Sequence, residues 1–266
     1  MVRMDPTQFL LESVVFTRNT LIRSKRRSLI LILLALPGAL LLVMTDPEYK
    51  IYWQMLPGGA QAFLIIAAII GAVFIAGYCT RIARGTSDPV EFDHWREMFS
   101  EGIKSGIVFL IWLVPILALI VMMLGINYIV SATWGPDSDA IKNLGGSNLI
   151  LIILLYILII VTILMIPMGM IRFAKTDRIR EGIRFQEVQD FIKKNGWGDY
   201  LLSYIVLMII CLICYNIIGV LSYIHYIGPI IFICGIPPLI VFAVRYMTSV
   251  YEAGGTRIME NNPPEQ

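Results

Sequence analysis

Five stretches without a charged residue, 28–45, 51–80, 105–136, 143–171 and 200–244, alternate with short charged segments along this chain. A helix needs ~20 apolar residues to cross ~30 Å of hydrocarbon, so each of the first four stretches holds one spanning helix. The fifth is 45 residues long and holds two. Its break falls at Tyr223 to Pro229, where His225, Gly228 and Pro229 interrupt the apolar run and Tyr223 and Tyr226 suit an interface. The predicted spans are 28–44, 60–79, 106–130, 148–171, 200–224 and 228–246, six in all. The first is the shortest, with Pro37-Gly38 at its middle, and requires a thinned bilayer or a broken helix.

The charged segments carry a second pattern. Asp5-Pro6-Thr7-Gln8 is a helix start, and Leu10, Leu11, Val14, Val15, Leu21 and Ile22 then recur at helical spacing, with Glu12, Ser13 and Asn19 off the stripe. The segment ends in Arg23-Ser24-Lys25-Arg26-Arg27, suited to lipid headgroups, although a plain topogenic anchor would need the same charges. Between the second and third spans, Asp88 or Asp93 can cap a helix with Phe92, Trp95, Phe99 and Ile103 on one side and charged residues on the other. Between the fourth and fifth, Phe185, Val188 and Ile192 form a similar stripe and Asn195-Gly196 a helix stop. Trp197 and Tyr200 then anchor the fifth span at the interface, with Asp199 placed to cap it.

A surface helix thus precedes every odd span, and every even span ends in a short exit: Arg81-Ile82-Ala83-Arg84, Arg172-Phe173-Ala174-Lys175 and the degraded Arg245-Tyr246-Met247-Thr248. The expected architecture is all-α and polytopic, with three parallel units of surface helix plus hairpin around an axis normal to the membrane. Any hairpin protein with basic inner loops would also show basic exits. The chain divides into a basic amphipathic helix at 1–27, a membrane domain at 28–251 and a disordered tail at 252–266.

Composition agrees with the membrane class: 58% of the residues are hydrophobic, 15% are charged and the mean hydropathy is +0.77. Of the 21 Lys and Arg, all but Lys50 and Lys142 fall in segments that share one side if the chain starts inside. Both termini are therefore expected in the cytoplasm of a cell-membrane protein. A cleaved signal peptide is disfavoured, because no small residues follow Met44 and the basic leader is long.

Chemistry is sparse. No Asp or Glu lies within a span, which argues against proton coupling. Cys211 and Cys214 lie one helical turn apart without a nearby His, Asp or Glu, and read as small packing residues. His94 and His225 fall on opposite sides of the membrane, and no nucleophile elbow, zinc-helix or phosphate-loop motif occurs. No catalytic residue, metal ligand or cofactor site is expected, nor nucleic-acid binding. Proline at 115, 167, 229 and 237–238 could break spans as carriers do. Asn127, Asn216, Thr162, Ser203 and Ser222 are expected to bond between helices.

GYCTRIARG at 77–85, the EFDHW turn at 91–95, AKTDRIREGIRFQEV at 174–188 and the WGDYLLSYIV entry at 197–206 resemble the domain-of-unknown-function 4013 family of polytopic membrane proteins, found largely in archaea. The resemblance runs from about residue 10 to 252 and implies a multi-helix membrane fold without an established activity. At Ser87-Asp88-Pro89-Val90-Glu91 the chain is less acidic than that family commonly is. The expected function is a non-enzymatic membrane scaffold that engages anionic headgroups, a protein partner or a second copy from its cytoplasmic side; the alternative is a transporter with broken helices. The candidate interface comprises Arg81, Arg84, Phe92, Asp93, Trp95, Phe99, Arg172, Lys175, Phe185, Trp197, Asp199 and Tyr200.

Overall fold

An apolar chain in lipid has no water to satisfy its peptide groups and must bond to itself. Every element of this chain is accordingly helical among the residues that the computed structural model describes, 6–44, 50–85, 90–134, 139–222, 224 and 228–261. They run α1 Pro6–Thr17, a π-helical turn Arg18–Ile22, α2 Lys25–Met44, α3 Lys50–Met55, α4 Gly58–Ala83, α5 Trp95–Trp134, α6 Asp139–Thr176, α7 Ile179–Ile183, α8 Phe185–Asn195, α9 Trp197–Ser222 and α10 Gly228–Asn261. Five segments, Gly58–Ala83, Trp95–Ile126, Leu149–Thr176, Trp197–Ser222 and Ile230–Gly255, are long and apolar enough to cross a membrane. The chain is a multi-pass membrane protein.

The break between α9 and α10 falls where the sequence placed it, although residues 223 and 225–227 lie outside the described set. Other expectations are corrected. Pro37, Pro115, Pro167, Pro237 and Pro238 sit inside continuous helices. Neighbouring helices and local adjustment can re-satisfy the carbonyls that a proline frees. The loop helix before the third span is no separate element, because α5 continues from Trp95 through the span. α10 runs to Asn261, past the start of the expected tail; residues 262–266 lie outside the described set.

The N-terminal stripe is also reassigned. Leu11, Val14 and Val15 face outward, while Phe9, Ser13, Phe16, Thr20 and Leu21 are buried. Ser13 satisfies its hydroxyl by donating to the Phe9 carbonyl at 2.7 Å, so a small polar residue occupies the tight face at little cost. Polar residues within the spans likewise bond to their own helix: Ser203 donates to Asp199, Asn216 to Leu212 and Ser222 to Gly219. Asn216 and Ser222 thus bond within α9, whereas Ser203 also faces the Tyr246 hydroxyl of α10 across the helix pair; the side chain of Asn127 lies outside the described residues.

Three hairpins organise the bundle: α2 lies against α4, α5 against α6 and α9 against α10. Their second members, α4, α6 and α10, also touch one another, forming the centre. Packing is tightest near the ends of α4 and α6 and around Val241 to Val250 of α10. Glycine permits the closest approach there: a Cβ on Gly77 would lie 2.0 Å from the Met98 carbonyl oxygen, and one on Gly102 1.9 Å from that of Val73, so α4 and α5 meet backbone to backbone. Toward the other end the apolar side chains turn outward, among them Phe63, Leu124, Ile150 and Val220.

Candidate functional site

The three exits share one register. Relative to Arg81, Arg172 and Arg245, the residues four and three before and one and two after are buried in every case. They are Gly77, Tyr78, Ile82 and Ala83 on α4; Met168, Gly169, Phe173 and Ala174 on α6; Val241, Phe242, Tyr246 and Met247 on α10. Ile82, Phe173 and Tyr246, each one residue past its arginine, are completely buried. This spacing turns one helical face inward and leaves the arginine beside it.

Each exit is covered by a surface element. The start of α5 covers α4, α7 and α8 cover α6, and α1 covers α10, so the N-terminal helix lies on the last span. Arg81 donates from Nε to Glu101 at 3.0 Å and from Nη1 to the Asp93 carboxylate at 2.8 Å, with Glu97 at 3.9 Å. Arg172 pairs with Glu181 at 2.9 Å and with Glu187, and Arg184 pairs with both glutamates. In the third exit the Arg245 guanidinium lies 5.0 Å over the Phe16 ring of α1, a cation–π contact. Phe9 of α1 meets Tyr246 edge to face at 6.2 Å.

The exits are also tied to each other. Arg84 donates to the Ala174 carbonyl at 3.2 Å, joining α4 to α6. Lys175 pairs with Glu252 at 2.9 Å and lies over Tyr251, joining α6 to α10. The circuit closes at Gly85, where a Cβ would lie 1.9 Å from the Glu252 carboxylate. Gly85 has φ +88°, so a side chain there would be strained as well as blocked. Glu101 binds Arg81 and Arg84 together, the latter at 2.8 Å, and is nearly buried; Lys104 reaches Asp177 at 3.1 Å.

Sequence reasoning placed Arg81, Arg84, Arg172 and Lys175 on this rim but overlooked Glu101, Glu181, Glu187 and Glu252, which hold them. Glu101 carries a usable signal, since it lies one helical turn past Glu97 and follows the fully buried Met98 by three residues. Asp93 is corrected: α5 starts two residues later, and the carboxylate serves Arg81 as an ion-pair partner. Asp88 lies outside the described residues.

Phe92 is buried and stacks on Tyr78 with centroids 4.4 Å apart. Trp95 and Phe99 flank Phe74 at 5.4 and 5.2 Å, and Trp95 remains 43% exposed. The aromatic stripe is therefore half packing surface and half outward face. Trp95→Glu removes ring contacts with Phe74 at 5.4 Å and Phe92 at 5.8 Å, each worth ~1 kcal/mol, and should lower the thermal midpoint in lipid nanodiscs. Asp93→Ala should lower it less, because an exposed ion pair contributes about 0–1 kcal/mol. The reverse order would contradict this assignment.

The second loop behaves differently. Phe185 is 42% exposed and near Trp112, while Val188 and Ile192 are fully covered, and α8 stops at Asn195 before Gly196 with φ +94°. Trp197 faces outward in part, but Tyr200 is 2% exposed and donates its hydroxyl to the Leu164 carbonyl. Tyr200 is thus a clamp between α9 and α6, not an interface anchor, because its ring reaches the neighbouring helix. Asp199 lies inside the first turn of α9, where it favours the helix N-terminus through the dipole without occupying the cap position.

Against known proteins, the family model described as protein of unknown function (DUF4013) matches residues 61–223, more than half of the chain. The chain belongs to this family. No curated protein and no solved structure matches it. The DUF4013 match takes in α5 to α9 and most of α4, hence the first two exits and both covering loops. α1, α2 and α10 lie outside it, although the resemblance read from the sequence extended further in both directions. Among the described residues, no three His, Cys, Asp or Glu converge as metal ligands.

Proposed function

We propose that this DUF4013 protein is a membrane scaffold of three like units, each a surface element followed by a helical hairpin, closed into a ring by α1 on α10. The observation that carries this reading is the common register of the twelve buried residues around Arg81, Arg172 and Arg245. On this reading α2 is the sixth span, paired with α4 as α5 is with α6. The basic rim faces the cytoplasm, with both termini on that side of the cell membrane, as the distribution of 21 Lys and Arg favours.

The rim is held by ion pairs that cross between helices, so its geometry is fixed before anything docks. A fixed basic and aromatic rim suits anionic headgroups or a protein partner. The carrier alternative loses its motive, because the prolines that would break the spans lie in continuous helices.

Purification in native-lipid nanodiscs tests the function: enrichment of anionic lipid or a stoichiometric partner is expected. Stabilisation by a soluble small substrate, without such enrichment, would instead support a carrier. Orientation is tested by single cysteines in a background lacking the four native ones. Gln54→Cys should react with an impermeant reagent applied outside, and Glu91→Cys should not; labelling at 91 would refute the topology.

A further inference from the structure

Asn216 is exposed on the lipid-facing side of α9, where nothing in the surrounding hydrocarbon can bond an amide. Inside the chain α9 packs on α10, α8 and α1, and Tyr200 and Tyr204 reach carbonyls of α6. One face remains uncovered: Leu202, Ile205, Ile209 and Leu212 are exposed there together with Asn216. The charge-free part of α9, Leu201 to Ser222, centres between residues 211 and 212, so Asn216 lies about 7 Å from the middle of a run that fills ~30 Å of hydrocarbon. Asn216 donates one N–H to the Leu212 carbonyl at 2.7 Å. Its Oδ1 and its second N–H have no partner among the described residues.

We infer that this face is the seam of a parallel homodimer, with the Asn216 amides of two copies bonded to each other across a two-fold axis normal to the membrane. The inference rests on the membrane reading of the chain and goes beyond the scaffold reading, since it uses neither the ring nor the rim. Three observations choose a second copy as the occupant. Leu202, Ile205, Ile209, Leu212, Asn216 and Gly219 follow one another at spacings of 3, 4, 3, 4 and 3 residues, the heptad repeat by which two helices interlock their side chains. A single polar member in such a seam fixes its register. Copies inserted with the same orientation bring each position of the repeat opposite itself, and an amide, which carries donor and acceptor together, is complementary to another amide. The two open groups of Asn216 are thereby matched. Gly219, the last member, has no atom within 4 Å of an added Cβ, so no contact inside the chain requires a glycine there. A second backbone in the seam does require it, because small residues let membrane helices approach closely.

Co-expression of two differently tagged full-length copies provides the test. Each tag should recover the other in native-lipid nanodiscs, with two chains per particle by native mass spectrometry. In a background lacking the four native cysteines, Leu212→Cys should form a disulfide between copies on mild oxidation in membranes. Ile217→Cys, also exposed but about 100° around α9 from Asn216, should form little or none. Asn216→Leu should raise the dissociation constant of the dimer roughly three- to twentyfold, the range of one interhelical hydrogen bond in a membrane, as read by energy transfer between labelled copies diluted in liposomes. It should leave the thermal midpoint of the single chain unchanged, because Asn216 touches no other helix. Gly219→Ile should weaken the dimer as well. Equal disulfide yield at 212 and 217, one chain per particle, a foreign chain in place of the second copy, or an Asn216→Leu dimer as tight as the wild type would each overturn the inference. None of these results alters cysteine labelling at 54 and 91 or the enrichment of anionic lipid, so failure of the seam and failure of the scaffold reading remain distinguishable.

Discussion

Glu101→Ala should lower the stability of the folded bundle by about 3–5 kcal/mol, the cost of removing one partner from a buried ion pair. The Glu101 side chain is 11% exposed, and its two oxygens bind Arg81 Nε at 3.0 Å and Arg84 Nη1 at 2.8 Å. Without the carboxylate, the mostly covered Arg81 guanidinium loses its least exposed partner and keeps the Asp93 and Glu97 carboxylates and the carbonyls of Asp93 and His94 at the outer edge. Arg84 would also lose the contact that positions it to bond α6. A double substitution, Arg81→Met with Glu101→Leu, should recover part of the loss, because the mostly covered Arg81 charge leaves with its least exposed partner, while the more exposed Arg84 keeps Asp177 at 3.9 Å. Thermal midpoints in lipid nanodiscs read both effects. A Glu101→Ala protein as stable as the wild type would show that the rim is solvated and not structural.

The second large effect is expected at Gly77. A methyl group there would sit 2.0 Å from the Met98 carbonyl oxygen and 2.9 Å from its carbon, and neither atom belongs to a flexible side-chain end. Gly77→Ala must therefore push α5 away from α4, opening the Tyr78–Phe92 stack and stretching the Arg81–Glu101 pair together. Overpacking of this kind costs ~1–3 kcal/mol or more, and Gly77→Val should exceed Gly77→Ala. By contrast, Gly106→Ala, where no atom lies within 4 Å of the added carbon, should be close to neutral or slightly stabilising. Equal melting of Gly77→Ala and Gly106→Ala would contradict the close crossing.

These two residues also show what the sequence could and could not disclose. Helix positions were legible because charge-free length is a direct consequence of bilayer thickness. The exits were legible because a basic residue at the end of an apolar run has few other places to be. Which face of a helix packs was harder to read. In water an apolar stripe marks the buried side, but in lipid both sides can be apolar, and close approach selects small or self-satisfied residues instead. Hence Ser13 on α1 and Thr20 on the π-helical turn face inward while Leu11 and Val15 on α1 turn outward. Hence also Gly102, Ser105 and the paired Glu101 line the inner side of α5, which the Phe92–Trp95–Phe99 stripe only partly anticipated. Tyr200 was misplaced for a related reason: an aromatic residue near a helix start suits an interface, yet a neighbouring carbonyl within reach makes it a clamp.

If the N-terminal helix closes a ring by covering the last exit, α1 must stay against α10 in the membrane. A benzophenone amino acid placed at Phe9 should, on illumination in native membranes, join to the α10 segment around Tyr246, whose ring lies 6.2 Å from that of Phe9. Peptide mapping of the product should find the attachment between Val241 and Val250. Attachment to lipid alone, or to any helix other than α10 and its hairpin partner α9, would mean that α1 lies free on the membrane surface and that the three exits do not form a closed set.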